Sequence, residues 1–298
     1  MDWISVAAFY GISLTLAGAC ALLWGRAGKE GAEATLMLLV MMFTPTVAAL
    51  AVNHFRDKAP LKKALGLDIQ FNLWLLAALV LPVVWVLGTA LAATLVPGVE
   101  LDLSGTAFLD QMAAQLPEED RAEMMAEVEK LGGLLLPMAV FQGVLGGATI
   151  NAFFAAGEEM GWRGFLHRHL RPLGFWPSSL LVGAMWGLWH APVVLQGYNF
   201  PDNPTLGVGV MALWGMVTSP LFTWIRERTG SILGAAVMHG VFNGLATISL
   251  LVLPGVEDLV SSPVGLVAAG VAALTLPLAV FLRVKDTPEP APPQNLTE

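Results

Sequence analysis

The sequence is short of charge. Asp, Glu, Lys and Arg make up 13% of its 298 residues, against about 25% in an ordinary soluble domain. So little charge cannot clothe a water-exposed globule. The 56% hydrophobic content and mean hydropathy of +0.68 point instead to a chain dissolved in lipid. Cysteine is almost missing as well. Cys20 stands alone, which excludes an intramolecular disulfide framework and leaves it as a small packing residue. Basic residues are missing ahead of the first apolar run, where Asp2 is the only charge. A cleaved signal peptide, or a lipoprotein reading of "LAGAC" up to Cys20, needs such a basic leader. That run is therefore expected to stay as a membrane helix. The apolar runs also lack the polar alternation of barrel strands, so a closed β-barrel is excluded.

What is present is a series of continuous apolar runs: 4–24, 35–52, 71–96, 134–156, 177–195, 205–224, 232–253 and 263–282. They predict an all-α, polytopic membrane bundle of about eight transmembrane helices. The fifth is interrupted near its end by Pro192. Residues 1–285 read as one transmembrane domain with its motif core at 134–253, and residues 286–298 as a Pro-rich, disordered tail. Eleven Lys and Arg fall in connections on the N-terminal side of the bundle and four on the other. The positive-inside rule then places both termini in the cytoplasm. Residues 97–133 form an extracytoplasmic loop. Within it, residues 100–130 carry nine acidic and two basic side chains, with an amphipathic helix running from Pro117 to Gly132. This reads as a solvated cap, and its acidity argues against a nucleic-acid partner.

Ionisable residues inside a membrane are costly and mark function by default. Glu158 and Glu159 close a long apolar run, and Arg163 follows in "EEMGWR". Glu159 and Arg163 are four residues apart with the acid first, the favourable order for a helical ion pair. Glu158 points about 100° away and is left free of that partner. The other glutamate pair, Glu118-Glu119, has Glu123 where the arginine would stand. His190 sits in "MWGLWHAP" beside Pro192, which removes a helix hydrogen bond there. His239 and Asn243 share one face of the seventh helix.

The chemistry open to such a set is narrow. No G-x-S-x-G is present, and no histidine is followed by glutamate, so a serine elbow and an H-E-x-x-H zinc site are both absent. A carboxylate and an imidazole activating water, with His and Asn donating to an oxyanion, fits amide hydrolysis. No cofactor is expected. If a metal takes part, the chemically suitable ligands are Glu158, His190 and His239 with zinc.

The three pieces resemble the type II CAAX prenyl endopeptidase, bacteriocin-processing or abortive-infection family (CPBP). Its patterns E-E-x-x-x-R, F-x-x-x-H and H-x-x-x-N/D appear here as Glu158-Glu159-x-x-x-Arg163, Trp186-x-x-x-His190 and His239-x-x-x-Asn243. The resemblance implies a glutamate-dependent intramembrane protease, integral to a bacterial inner or plasma membrane. Glu158 would be the base, aided by His190, with His239 and Asn243 as the oxyanion site. Glu159 and Arg163 would be a structural ion pair. Trp186 replaces the family's phenylalanine and is expected to pack in the pocket. The partners implied are the bilayer and a membrane-associated or lipidated peptide or protein, entering from the cytoplasm. Two other classes compete: a transporter with a Glu-lined ion path, and a non-catalytic scaffold or immunity protein on the same fold. For the glutamates and histidines to meet at one depth, the fourth helix must run on to about Leu170. His167 and His169 are then expected at the surface, among headgroups.

Overall fold

The computed structural model describes residues 2–114 and 116–282. Arg283, Lys285 and the proposed disordered tail lie outside the described residues. Among those described, seven helices are long and apolar enough to cross a membrane. They and one shorter helix are numbered in chain order: α1 (Trp3–Arg26), α2 (Gly31–Asp57), α3 (Trp74–Ala93), α4 (Glu118–Leu173), α5 (Phe175–Trp189), α6 (Pro204–Thr229), α7 (Ile232–Val252) and α8 (Asp258–Leu282). The predicted fifth span is the one cut short. α5 stops at 15 residues, His190 occupies a turn, and a four-residue helix, Ala191–Val194, follows. Pro192 supplies the reason, since it has no N–H to continue the ladder.

The outward faces are apolar, as lipid requires. Leu76, Val80 and Val84 on α3 and Phe141, Leu145 and Phe153 on α4 are exposed. The charges are drawn inward or to the ends. At the N-terminal end of the bundle, Asp2 caps α1 through Ile4 N–H at 3.0 Å and pairs with Arg56 at 3.0 Å. That guanidinium holds the Asp2 carboxyl well below the usual carboxylate range. Arg168 reaches Asp57 at 3.4 Å, and Asn72 donates to the Thr229 carbonyl at 3.1 Å. At the opposite end Lys29 donates to the Gln196 carbonyl at 2.6 Å. There too, Asp102 N–H bonds to the Val252 carbonyl at 3.0 Å, and Asp258 accepts from Asn203 Nδ2 at 2.8 Å.

α7 is the hub, packed against α3, α4 and α6. Its crossing with α4 is made of glycine. A Cβ on Gly240 would collide with the backbone of Gly147 and Ala152, and one on Gly244 with the Gly143 carbonyl. Small residues let two membrane helices approach this closely. The crossing lies about two to four turns before Glu158 on α4 and beside His239 on α7, so it sets the spacing of the site. Gly240→Ala is expected to destabilise by about 1–3 kcal/mol, as overpacking does, and to reduce cleavage with it. Gly146→Ala, where an added Cβ meets nothing within 4 Å, should leave the melting temperature unchanged or higher. Melting both variants in one detergent checks this.

Candidate active site

α4 carries the glutamates and does not end with them. The helix widens into a π-helical stretch, Met160–Leu166, then continues through His167–Leu170 to a last 3-10 turn. The long fourth helix expected from the sequence is present, and it carries the carboxylates into the bundle instead of leaving them at its boundary. π segments recur at functional sites because they re-aim side chains. Gly157, Gly161 and Gly164 let α2 and the segment after it lie directly on this stretch, against Phe43, Pro45 and Leu65. Thr46 Oγ1 donates to the Gly157 carbonyl at 2.5 Å.

Glu159 and Arg163 form the expected pair, Nη1 to Oε1 at 3.0 Å, both side chains fully enclosed. Arg163 Nη2 also donates to Ser219 Oγ at 3.3 Å. The guanidinium lies 4.6 Å from each of the Trp186 and Phe222 ring centres, so flat aromatic faces replace water around it. Glu159 has a further role that spacing did not reveal. The same Oε1 takes His239 Nδ1 at 2.8 Å. A carboxylate paired to arginine has no proton to give, so Nδ1 carries the hydrogen and Nε2 turns to the other side.

On that other side is Glu158. Its Oε1 is 3.9 Å from His239 Nε2, too far for a direct hydrogen bond and near enough for both atoms to hold one water. Its Oε2 accepts from Trp186 Nε1–H at 2.8 Å. Glu158 is 3% exposed, and the exposed part faces a cavity rather than lipid. The Trp186 indole does more than pack, then: it fixes the carboxylate's rotation, which a phenylalanine cannot do. Trp186→Phe keeps most of the ring volume and removes the donor. A hydrogen bond to a charged group is worth about 1.5–3 kcal/mol. The expected result is a drop of roughly tenfold or more in kcat with KM little changed, read from steady-state cleavage rates.

His190 Nδ1 lies 3.0 Å from the Trp186 carbonyl, and its ring rests against Trp186 and Trp189. Glu158, His190, His239 and Asn243 all line one cavity of about 300 Å³. Asn243, one turn along α7 from His239, is exposed. The four side chains singled out in the sequence are therefore brought together. Among the described residues no three His, Cys, Asp or Glu side chains form a metal-ligating cluster, so Glu158, His190 and His239 meet around a cavity without metal-ligand geometry.

Two expectations fail. His167 and His169 are not at the surface: His167 is 7% exposed, and His169 is wedged between the Phe165 carbonyl and Asp57 carboxylate, each at 2.9 Å. α2 and the segment after it fold over this part of α4 and bury both. The cavity also does not run toward the N-terminal end. Its remaining walls are Thr35, Leu38, Leu39 and Met42 on α2, Tyr198 and Asn199 after α5, and Pro263 and Val264 before the last stretch of α8.

All three motifs thus lie on α4, α5 and α7 around one cavity. Residues 134–245 match the Rce1-like family, type II CAAX prenyl endopeptidase. This bears out the resemblance read from the motifs. No curated protein matches the chain. The Rce1-like segment holds every motif residue, from Glu158 to Asn243, and the π-helical stretch between them. The α2 wall and the Pro263–Val264 wall fall outside it, so this chain's own α2 and α8 shape the space a substrate would meet. Sequence reasoning missed that wall, along with Ser219, Phe222 and Asn151, another cavity residue. Asn151 did carry a signal: it is the amide in the apolar run "ATINAFFAAG".

Proposed function

We propose that the protein is an intramembrane endopeptidase that hydrolyses a peptide bond of a membrane-associated protein or peptide. The observation that carries this is Glu158, a carboxylate at the wall of an enclosed cavity, aimed by Trp186 and facing His239 Nε2 across the width of one water. In this reading Glu158 takes a proton from that water as its oxygen attacks the scissile carbonyl carbon. His190 donates from Nδ1 to the Trp186 carbonyl, which leaves Nε2 free to accept the water's other hydrogen. His239, in its doubly protonated form, donates through Nδ1 to Glu159 and through Nε2 to the developing oxyanion. The Asn243 amide is the second donor. Collapse breaks the C–N bond, and the proton held by Glu158 passes to the leaving amine. No atom is left over and no cofactor enters.

The mainly apolar lining, with Leu38, Leu39, Phe154, Val193, Met211 and Phe242, suits a lipid-attached or hydrophobic segment. Substrate trapping tests the reading. Membranes containing Glu158→Gln should accumulate an uncut membrane peptide or protein, recoverable with the protein by crosslinking, while wild-type membranes contain its fragments. Identical fragment patterns in both would contradict the proposal, and would favour a scaffold on the same fold.

A further inference from the structure

We infer that the site is loaded from the non-cytoplasmic face of the membrane, by an extended peptide segment displayed there on a membrane-attached substrate. The nature of the occupant rests on the peptidase reading; the direction of the opening does not.

The site lies nearer the N-terminal end of the bundle. His239 is seven residues into α7 from Ile232, or about 10 Å at 1.5 Å per residue. The short way out is nevertheless shut. Beneath Glu158 stand Trp162, Phe165, Leu166, Phe9 and Phe222, all fully buried. Phe9 stacks on Phe165 with ring centres 5.2 Å apart and meets Trp162 edge-on at 5.4 Å. Trp162 in turn meets Trp189 at 5.9 Å. On the flank, Gly161 and Gly164 close against Pro45 and Leu65 with no room for a Cβ. This aromatic layer is a floor.

The cavity runs the long way instead. Its walls follow α7 from His239 through Asn243 to Ala246, and α2 from Met42 back to Thr35, which is exposed. They end at Asn199, in the connection after α5, and at Pro263, near the start of α8, where the Lys29 and Asp258 contacts tie the far end together. Among the described residues that far end holds four Lys and Arg (Arg26, Lys29, Arg121 and Lys130), and the closed end and its connections hold eight, from Arg56 to Arg228, with Arg163 buried in the site and not counted. A bias of this size sets orientation with the basic side in the cytoplasm. The mouth therefore faces away from the cytoplasm. A C-terminal tail presented in the cytoplasm would meet the aromatic floor, so the fitting substrate class is a segment exposed on the other side.

Cysteine accessibility tests this without any substrate. In a Cys20→Ala background, Leu39→Cys and Ala246→Cys place a thiol on two different cavity walls. Leu36→Cys places one on the lipid-facing side of α2, where Leu36 is 53% exposed, and Lys63→Cys one at the closed end. A charged, membrane-impermeant thiosulfonate is applied to intact cells and to inverted vesicles. The expected result is labelling of Leu39→Cys and Ala246→Cys in intact cells, of Lys63→Cys in inverted vesicles only, and of Leu36→Cys in neither. Labelling of both cavity thiols only in inverted vesicles, or from neither side, would overturn the inference. The Glu158→Gln trap in the same membranes reports separately on the peptidase reading, so either can fail alone.

Discussion

Glu158→Gln should leave a folded protein that no longer cuts. Glutamine keeps the size and shape of the side chain and can still accept the Trp186 N–H, now 2.8 Å from Glu158 Oε2. It cannot take a proton from water. Loss of a positioned general base costs typically 10²–10⁴-fold, so the cleavage rate should fall by at least about 10²-fold. The carboxylate borders a cavity and is bonded to a neutral indole, and once its charge is gone His239 can give up its Nε2 proton into that cavity, so no charge stays stranded and the melting temperature should stay near that of the parent. The pH profile follows from the same role. Activity needs the Glu158 carboxylate, so the rate should fall toward acid pH as that group takes up a proton. Near-normal cleavage by well-folded Glu158→Gln would remove it from the mechanism.

Glu159→Gln should fail differently, as a protein first and a catalyst second. Glu159 and Arg163 have fully enclosed side chains 3.0 Å apart, and the guanidinium is surrounded by Trp186, Phe222 and Ser219. Breaking a buried pair from one side strands the other charge, at about 3–5 kcal/mol. Replacing both, in Glu159→Leu/Arg163→Leu, strands neither and should recover much of that stability, because apolar replacements of a buried pair are often neutral. Activity should not return. His239 Nδ1, 2.8 Å from Glu159 Oε1, would have lost the acceptor that sets its tautomer and ring orientation. Melting temperature and cleavage rate thus separate the two duties of one carboxylate. Recovery of cleavage in the double variant would show that Glu159 serves Arg163 alone.

That double duty shows where the sequence stops being legible. The Glu159–Arg163 pair could be read because both ends lie on one helix at a fixed spacing, and the spans could be read because lipid imposes long apolar runs. The extension of α4 was forced by depth arithmetic once three motifs had to meet. Contacts between helices have no such spacing rule. Nothing in "HGVFN" says that His239 faces Glu159, and nothing in "MWGLWH" says that the Trp186 indole N–H points at Glu158. The glycines that decide the α4–α7 approach look like any others until a Cβ is tried at each. His167 and His169 were misread for the same reason. Their basic neighbours suggest a headgroup anchor, and only the fold of α2 across α4 buries them. The break at His190 was half legible: Pro192 announced the interruption, and the structure supplies its consequence, a histidine in a turn with its ring against two tryptophans.

The central claim is that Glu158 activates a water that attacks the substrate directly. A single turnover in H₂¹⁸O with the trapped substrate tests this most closely, by mass spectrometry of both the product and the protein. The account predicts one ¹⁸O in the new C-terminal carboxylate and none in Glu158. Label found in the Glu158 side chain, or a first-turnover product without ¹⁸O, would mean that the carboxylate itself attacks the carbonyl, and would contradict the account.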